Sequence, residues 1–393
     1  MFALPISLGD PVELRLFKAE GFTINYYFVY SRIISYNLVK GWLDMLNIKN
    51  IKITPQMLVQ IAEIDEFKGS WTGFARLRPE QLKKLRKIST IESVGSSNRI
   101  EGNKLSDSEV EKLLSRIGKK SFKSRDEEEV AGYAKLMDLI FDDYSVIPIS
   151  ENYIKQLHKI LLQHTTKDES HRGEYKKLSN CVSAYDENGK EIGIVFKTAT
   201  PFDTPHFMEE LVEWTRKNLN DPFLHPLIVI GIFIVHFLAI HPFQDGNGRL
   251  SRAITAMLLL KSGYAYTPYS SIESIIEASK EGYYRALRST QKNIFSGDVD
   301  YEPWLSFFLT TLQKQKRLLE DKVKAMSKDD NKLGRNARVV LDLFGNKPEW
   351  SVSEISGVLK LNINTASKTI KSLVESGYLT KHGSTKGSWY TKA

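Results

Sequence analysis

From Thr54 onward the apolar residues return every three or four positions, the rhythm of helices that bury one face. Thr54 followed by Pro55 suits an N-cap and first helical residue, and Pro79 opens a second helix carrying Leu82, Leu85, Ile88, Ile91 and Val94. The same rhythm predicts helices over Ser106 to Arg116, Asp126 to Asp143, Ser150 to His164 and Thr204 to Leu219. Leu227 to Ile240 is apolar almost throughout. It is shorter than the ~20 residues that cross a bilayer and contains His236, so it reads as a buried central helix. One stretch breaks the rhythm. Cys181 to Phe196 holds two short β-prone runs around Asp186, Glu187, Asn188 and Gly189, and Asn-Gly supplies the positive φ angles of a tight hairpin turn.

After Tyr301 a long helix is expected to about Ala325, and the polar Ser327 to Gly334 reads as a linker. Beyond it, helices over Asn336 to Phe344, Ser351 to Leu359 and Asn364 to Ser376 precede two strand-like pieces, the layout of a winged helix-turn-helix. The chain is therefore expected to be mainly α. Residues 1–53 stay unassigned, because the aromatic run Tyr26 to Tyr36 fits no period. Residues 54–125 form an N-terminal helical region, 126–326 a core, 327–334 a linker and 335–393 the winged unit. There is no internal repeat at solenoid spacing.

At 393 residues the chain is too long for one ordinary core, and 41% hydrophobic with 26% charged residues is an ordinary soluble composition. A net charge of +8 favours an acidic partner such as nucleic acid, nucleotide or anionic lipid. Cys181 is the lone cysteine, so no intrachain disulfide forms; a cytoplasmic location fits, with no membrane partner. No activating base lies near it in sequence, which favours an inert buried thiol over a nucleophile. The first residues lack the basic, apolar and small-residue succession of a secretion signal.

The chemistry is concentrated in His241 to Arg252, HPFQDGNGRLSR. Gly246, Asn247 and Gly248 stand where an apolar-periodic helix begins, with Leu250, Ile254, Met257 and Leu258 on its buried face. Glycines let an anion approach backbone amides, and the helix N-terminus adds about half a positive charge. Arg249 and Arg252, three apart, can project toward one polyphosphate. Asp245 can hold a divalent cation, since Mg²⁺ takes only one or two protein carboxylates. His241, with an ordinary pKa near 6.5, can accept a proton from a hydroxyl, while Phe243 points inward as an anchor. The set suits a nucleoside triphosphate and its metal.

This string resembles the Fic signature, His-x-Phe-x-Asp/Glu-Gly-Asn-Gly-Arg-x-x-Arg, at every fixed position: His241, Phe243, Asp245, Gly246, Asn247, Gly248, Arg249 and Arg252. The resemblance implies an α-helical Fic core and transfer of AMP from ATP to a hydroxyl side chain of a target protein. It implies His241 as general base, Asp245 as the Mg²⁺ ligand, and an ATP site of Glu101, His241, Gly246, Asn247, Gly248, Arg249, Leu250, Ser251, Arg252 and Tyr284. Cys181 to Phe196 stands where the family carries a β-hairpin flap that pairs with the target backbone. Tyr284, rather than Tyr283, is matched to the tyrosine that closes on adenine.

Ser97-x-x-x-Glu101-Gly102 places serine and glutamate on one helix face. It resembles the inhibitory helix of some family members, expected here over about residues 80–103, whose glutamate pairs with the last motif arginine, Arg252. The leading expectation is a self-inhibited adenylyltransferase. Removal of AMP from a modified protein is a close variant, with Glu101 positioning water. A nucleotide-sensing DNA-binding regulator is the alternative from another class. For DNA, the tail offers Asn364, Thr365, Ser367, Lys368 and Lys371, with wing lysines Lys381 and Lys386, over buried Ile363, Ala366, Ile370, Leu373 and Val374. A homodimer is compatible with all of this.

Overall fold

The computed structural model describes residues 51–71, 79–116, 121–185, 191–221, 223–296, 298–332, 334–383 and 387–392. The unassigned stretch up to residue 50, the hairpin turn at Asp186 to Gly189 and the wing residue Lys386 lie outside them. The helices of the larger unit are α1 (Pro55–Trp71), α2 (Pro79–Ile100), α3 (Asp107–Leu114), α4 (Arg125–Asp143), α5 (Glu151–Leu161), α6 (Thr204–Asn218), α7 (Pro226–Ile240), α8 (Asn247–Lys261), α9 (Ile272–Ala278), α10 (Lys280–Gln291) and α11 (Glu302–Lys332). Between α5 and α6 lies an antiparallel hairpin, β1 (Cys181–Tyr185) and β2 (Glu191–Lys197), in which Cys181 faces Lys197 and Tyr185 faces Glu191.

The axis of this unit is α7, in which every residue from Leu227 to Ile240 is buried. It packs against α6, α8 and α11. Trp304 of α11 donates its indole N–H to the Gly231 carbonyl at 2.7 Å, a polar tie inside an apolar contact. The chain leaves α7, turns through residues 241–246 and returns as α8, so the motif loop hangs between two buried helices.

Two expectations change here. On α2, Leu85 and Val94 are buried but Ile88 is 37% exposed, because a spacing of three drifts off a face whose period is 3.6. At the other end of the unit, α11 runs through most of the expected linker to Lys332. Polarity alone does not end a helix; Gly334, the next strong breaker, stands just past its last residue.

The C-terminal unit has its own core, built on Val340, Leu341, Ile355, Ala366, Ile370 and Leu373. Its helices are α12 (Arg335–Leu343), α13 (Val352–Leu359) and α14 (Ile363–Glu375). Strands β3 (Glu349–Ser351), β4 (Leu379–His382) and β5 (Trp389–Lys392) form an antiparallel sheet ordered β3-β5-β4. The expectation missed β3, a strand of three residues. It also buried Ile363, which is 48% exposed, because Asn362 caps α14 by accepting the Asn364 N–H and leaves Ile363 on the first, outward turn.

Candidate active site

His241 ends α7 in the left-handed region, at φ 53° and ψ 60°, with its N–H still bonded to the Phe237 carbonyl at 2.9 Å. A non-glycine residue there stores strain, which turns the loop sharply off the helix. The ring Nδ1 lies 3.2 Å from the Leu238 carbonyl, which can only accept; Nδ1 therefore carries the proton and Nε2 keeps a lone pair. Burial lowers the imidazole pKa to about 4, so it is neutral at pH 7 and able to take a proton.

Gly246 caps α8 at φ +78°, a conformation that suits glycine. Asn247 uses its side chain as a brace: Oδ1 accepts the Phe243 N–H at 2.9 Å and Nδ2 donates to the Phe243 carbonyl at 2.7 Å. Its contribution to an anion is thereby limited to its backbone amide, one of the first helical amides that have no intrahelical acceptor. Leu250 and Ser251 do not fit the expected nucleotide contact. Both are fully buried; the Leu250 N–H is already bonded to Gly246, and the Ser251 hydroxyl donates to the Gly248 carbonyl. They sit a turn too far along α8 to offer free donors.

Glu101, one residue past the end of α2, reaches the first turn of α8. A Cβ added to Gly248 would lie 2.1 Å from Glu101 Oε1, so a carboxylate rests against the first turn of α8 at Gly248. The same oxygen accepts from Arg252 Nη2 at 2.8 Å. Arg252 also donates through Nε to the Ser97 hydroxyl and through Nη2 to the Ser97 carbonyl, both at 2.8 Å. Burial opposes the Arg252 charge, yet Glu101 beside it holds the pKa above the ordinary arginine value. Gly102 turns the chain away from this contact at φ +97°.

Arg249 and Arg252 are held by different carboxylates. Arg249 is 3% exposed and pairs with Asp245 at 3.3 Å and Glu129 at 3.5 Å. Asp245 also receives Arg125 at 3.0 Å and the Gly246 amide at 2.7 Å. Burial pushes its pKa up, but Arg249, that amide and Arg125 outweigh it and hold the carboxyl below its ordinary value. Among the described residues no cluster of three or more acidic, histidine or cysteine side chains could cage a metal. A lone, partly exposed carboxylate nevertheless fits a magnesium ion that arrives with phosphates and water.

The supports of the loop were not foreseen. Buried His158 accepts the Gly173 N–H at Nδ1, so its Nε2 donates to the Asp245 carbonyl at 3.0 Å, and its ring stacks on Phe243 with centroids 3.8 Å apart. Burial lowers the Lys176 pKa to about 8, and its ammonium is shared by Ile240, Asn180 and Thr198. Asn180 in turn donates to the Phe243 carbonyl at 2.9 Å. These residues come from segments far upstream of the motif, with no local signature of their own.

Glu101, His241, Asp245, Gly248, Tyr284 and Phe196 line one cleft, which encloses ≈ 780 Å³ including its open mouth. Tyr283 and Tyr284 both border it. Tyr283 is 3% exposed and packed on Trp304 and Phe307, so Tyr284, only partly buried, keeps the freer ring.

Residues 148–259 match the model of the Fic/DOC family. A probable protein adenylyltransferase of Aquifex aeolicus is 28% identical over 109 residues, 28% of this chain and 33% of that protein. The protein adenylyltransferase Fic of Drosophila willistoni is 25% identical over 237 residues, 59% of this chain and 42% of its own length. The matches thus span less than half of either relative. Among solved structures, a Fic family protein from Desulfovibrio desulfuricans superposes with a TM-score of 0.57 at 22% identity, covering 88% of this chain and 98% of that one. A Fic domain containing signaling protein from Bacteroides thetaiotaomicron gives 0.54 at 25% identity, over 67% and 98%.

Proposed function

We propose that this chain, whose residues 148–259 match the Fic/DOC family model, transfers AMP from ATP to a hydroxyl of a target protein and that Glu101 restrains it. The observation that carries this reading is the Glu101 carboxylate lying against Gly248 and bonded to Arg252. A helix N-terminus with a partnered arginine is built for an anion, and a side chain of the same chain is the anion in place.

In the active arrangement Glu101 withdraws, and the first amides of α8 with Arg252 receive the outer phosphates. His241 Nε2 accepts the proton of the attacking hydroxyl while that oxygen bonds to the α-phosphorus and pyrophosphate departs. Asp245 is the residue that would hold magnesium, which when bound neutralises phosphate charge. Tyr284 borders the space left for the base. The β1-β2 hairpin, which borders the cleft at Phe196 and has no third strand among the described residues, offers an edge for a target segment.

The test is labelled-ATP transfer by the Glu101→Gly protein and by Glu101→Gly with His241→Ala. Transfer should fall about 10²- to 10⁴-fold with the histidine gone, while nucleotide affinity stays within a few fold. Equal rates would remove His241 from the reaction. Incubating the labelled product with the wild-type protein and no ATP reads the reverse reaction, in which Glu101 would position water.

The C-terminal unit supports a second activity, DNA binding by a winged helix-turn-helix. Asn364, Thr365, Ser367, Lys368 and Lys371 are all exposed along α14, while Ala366, Ile370 and Leu373 are buried beneath them. That leaves one polar, basic helix face free to lie in a groove.

A further inference from the structure

A second depression opens beside the catalytic cleft, lined among others by Phe196, Lys197, Gln291, Lys292, Ile294 and Phe295. Phe196 and Gln291 belong to both, so the two adjoin. Its floor is rigid. Phe295, 37% exposed, stacks on Phe207 at 5.3 Å and on Phe196 at 6.2 Å, and Gln291 is tied to the Val235 carbonyl at 3.2 Å. Its rim is cationic. Lys197 ends β2, which packs against α10, and Lys292 follows the last residue of α10; both are exposed and neither ammonium group has an ion pair or hydrogen bond among the described residues. Among the described residues no carboxylate lines the depression.

Two unpartnered ammonium groups over an aromatic stack form a half-made interface: the charges lack acids and the exposed Phe295 ring lacks an apolar cover. We propose that this groove is the docking subsite for the target protein, and that it takes a segment presenting a large apolar side chain flanked by aspartate or glutamate next to the accepting hydroxyl. This rests on the transferase reading and adds to it the chemistry by which a target is chosen. Phe196 touches both spaces, so a segment seated on the stack continues past Phe196 toward His241.

The experiment uses fluorescein-labelled peptides that each hold one threonine and one phenylalanine, flanked either by two aspartates or by two lysines. Anisotropy titrations with the full chain should give about 10-fold tighter binding of the acidic peptide at low salt, since two exposed pairs contribute modestly each. Lys197→Glu with Lys292→Glu should reverse the preference, and Phe295→Ala should weaken both peptides. Equal affinities, a preference untouched by the charge reversal, or displacement of the acidic peptide by inorganic phosphate at matched ionic strength would each overturn the proposal. Self-modification of the Glu101→Gly protein by labelled ATP, run alongside, reports on the transferase reading separately. Transfer without peptide preference sinks the docking site alone, and preference without transfer sinks the transferase reading.

Discussion

Two buried stretches of helix position the motif, α7 by leading into its loop and the end of α2 by holding Arg252, and they are built from opposite materials. From Leu227 to Ile240, α7 is apolar apart from His236, whose Nε2 lies 2.8 Å from the Tyr301 hydroxyl. The last turns of α2 bury Ser93, Ser96, Ser97 and Asn98 instead. Burial of α7 follows from the hydrophobic effect, which has no direction and no alternative partner in water. Burial of the α2 end follows from directed bonds, each of which water or a ligand can replace. Arg99 reaches Glu277 at 2.7 and 2.9 Å and Asp107 at 2.9 Å, and Ser97 and Glu101 hold Arg252. The first helix is a scaffold. The second is a clamp that can let go at modest cost.

The comparison predicts different readouts for substitutions in the two helices. Phe237→Ala, at a position with no exposure, should lower unfolding free energy by about 3–5 kcal/mol in a denaturant titration. A loss below 1 kcal/mol would mean that α7 is not the scaffold described. Glu101→Gly should do the reverse, changing stability little while raising self-modification at least about 10-fold, because Arg252 loses its resident carboxylate and the space beside Gly248 opens. Adding Arg252→Ala should cancel the gain; an undiminished rate in the double variant would show that Arg252 is not the beneficiary.

Acid should loosen the scaffold side. Burial lowers the pKa of His236 to about 3 and those of His158 and His241 to about 4. Between pH 6.5 and about 4 the unfolded chain binds protons at these histidines that the native state refuses, so stability falls as pH falls through that window. Thermal denaturation at pH 7, 6, 5 and 4 reads this directly. A melting temperature flat over that range would contradict the buried neutral state of all three.

The smallest effect is expected at the far end of the clamp. Arg99→Ala removes the tie between α2 and α9 without touching the cleft, so transfer should rise only a few fold, measured with labelled ATP against the wild type. A rise equal to that of Glu101→Gly would place the whole restraint in the α2–α9 tie.

The sequence by itself determined much of this protein. Periodicity marked α7 and the apolar face of α8, because burial leaves its trace in every third or fourth residue. Twelve consecutive residues carried the motif, because an amide cradle at a helix start needs its glycines, carboxylate and arginines close together along the chain. Glu101 and Arg252 were paired in advance through the resemblance, not through any local rule. What only the tertiary structure decided are relations between distant segments. His158, Lys176 and Asn180 hold the motif loop, yet each is an ordinary polar residue in its own stretch. Asn247 proved to be a brace, and Leu250 and Ser251 proved to be interior, because the direction of a side chain depends on what packs over its helix. Ser93, Ser96, Ser97 and Asn98 make no apolar pattern in the chain, yet all four are buried. Polar residues can be interior when their hydrogen bonds are made elsewhere in the fold, and those partners leave no periodic trace in the chain.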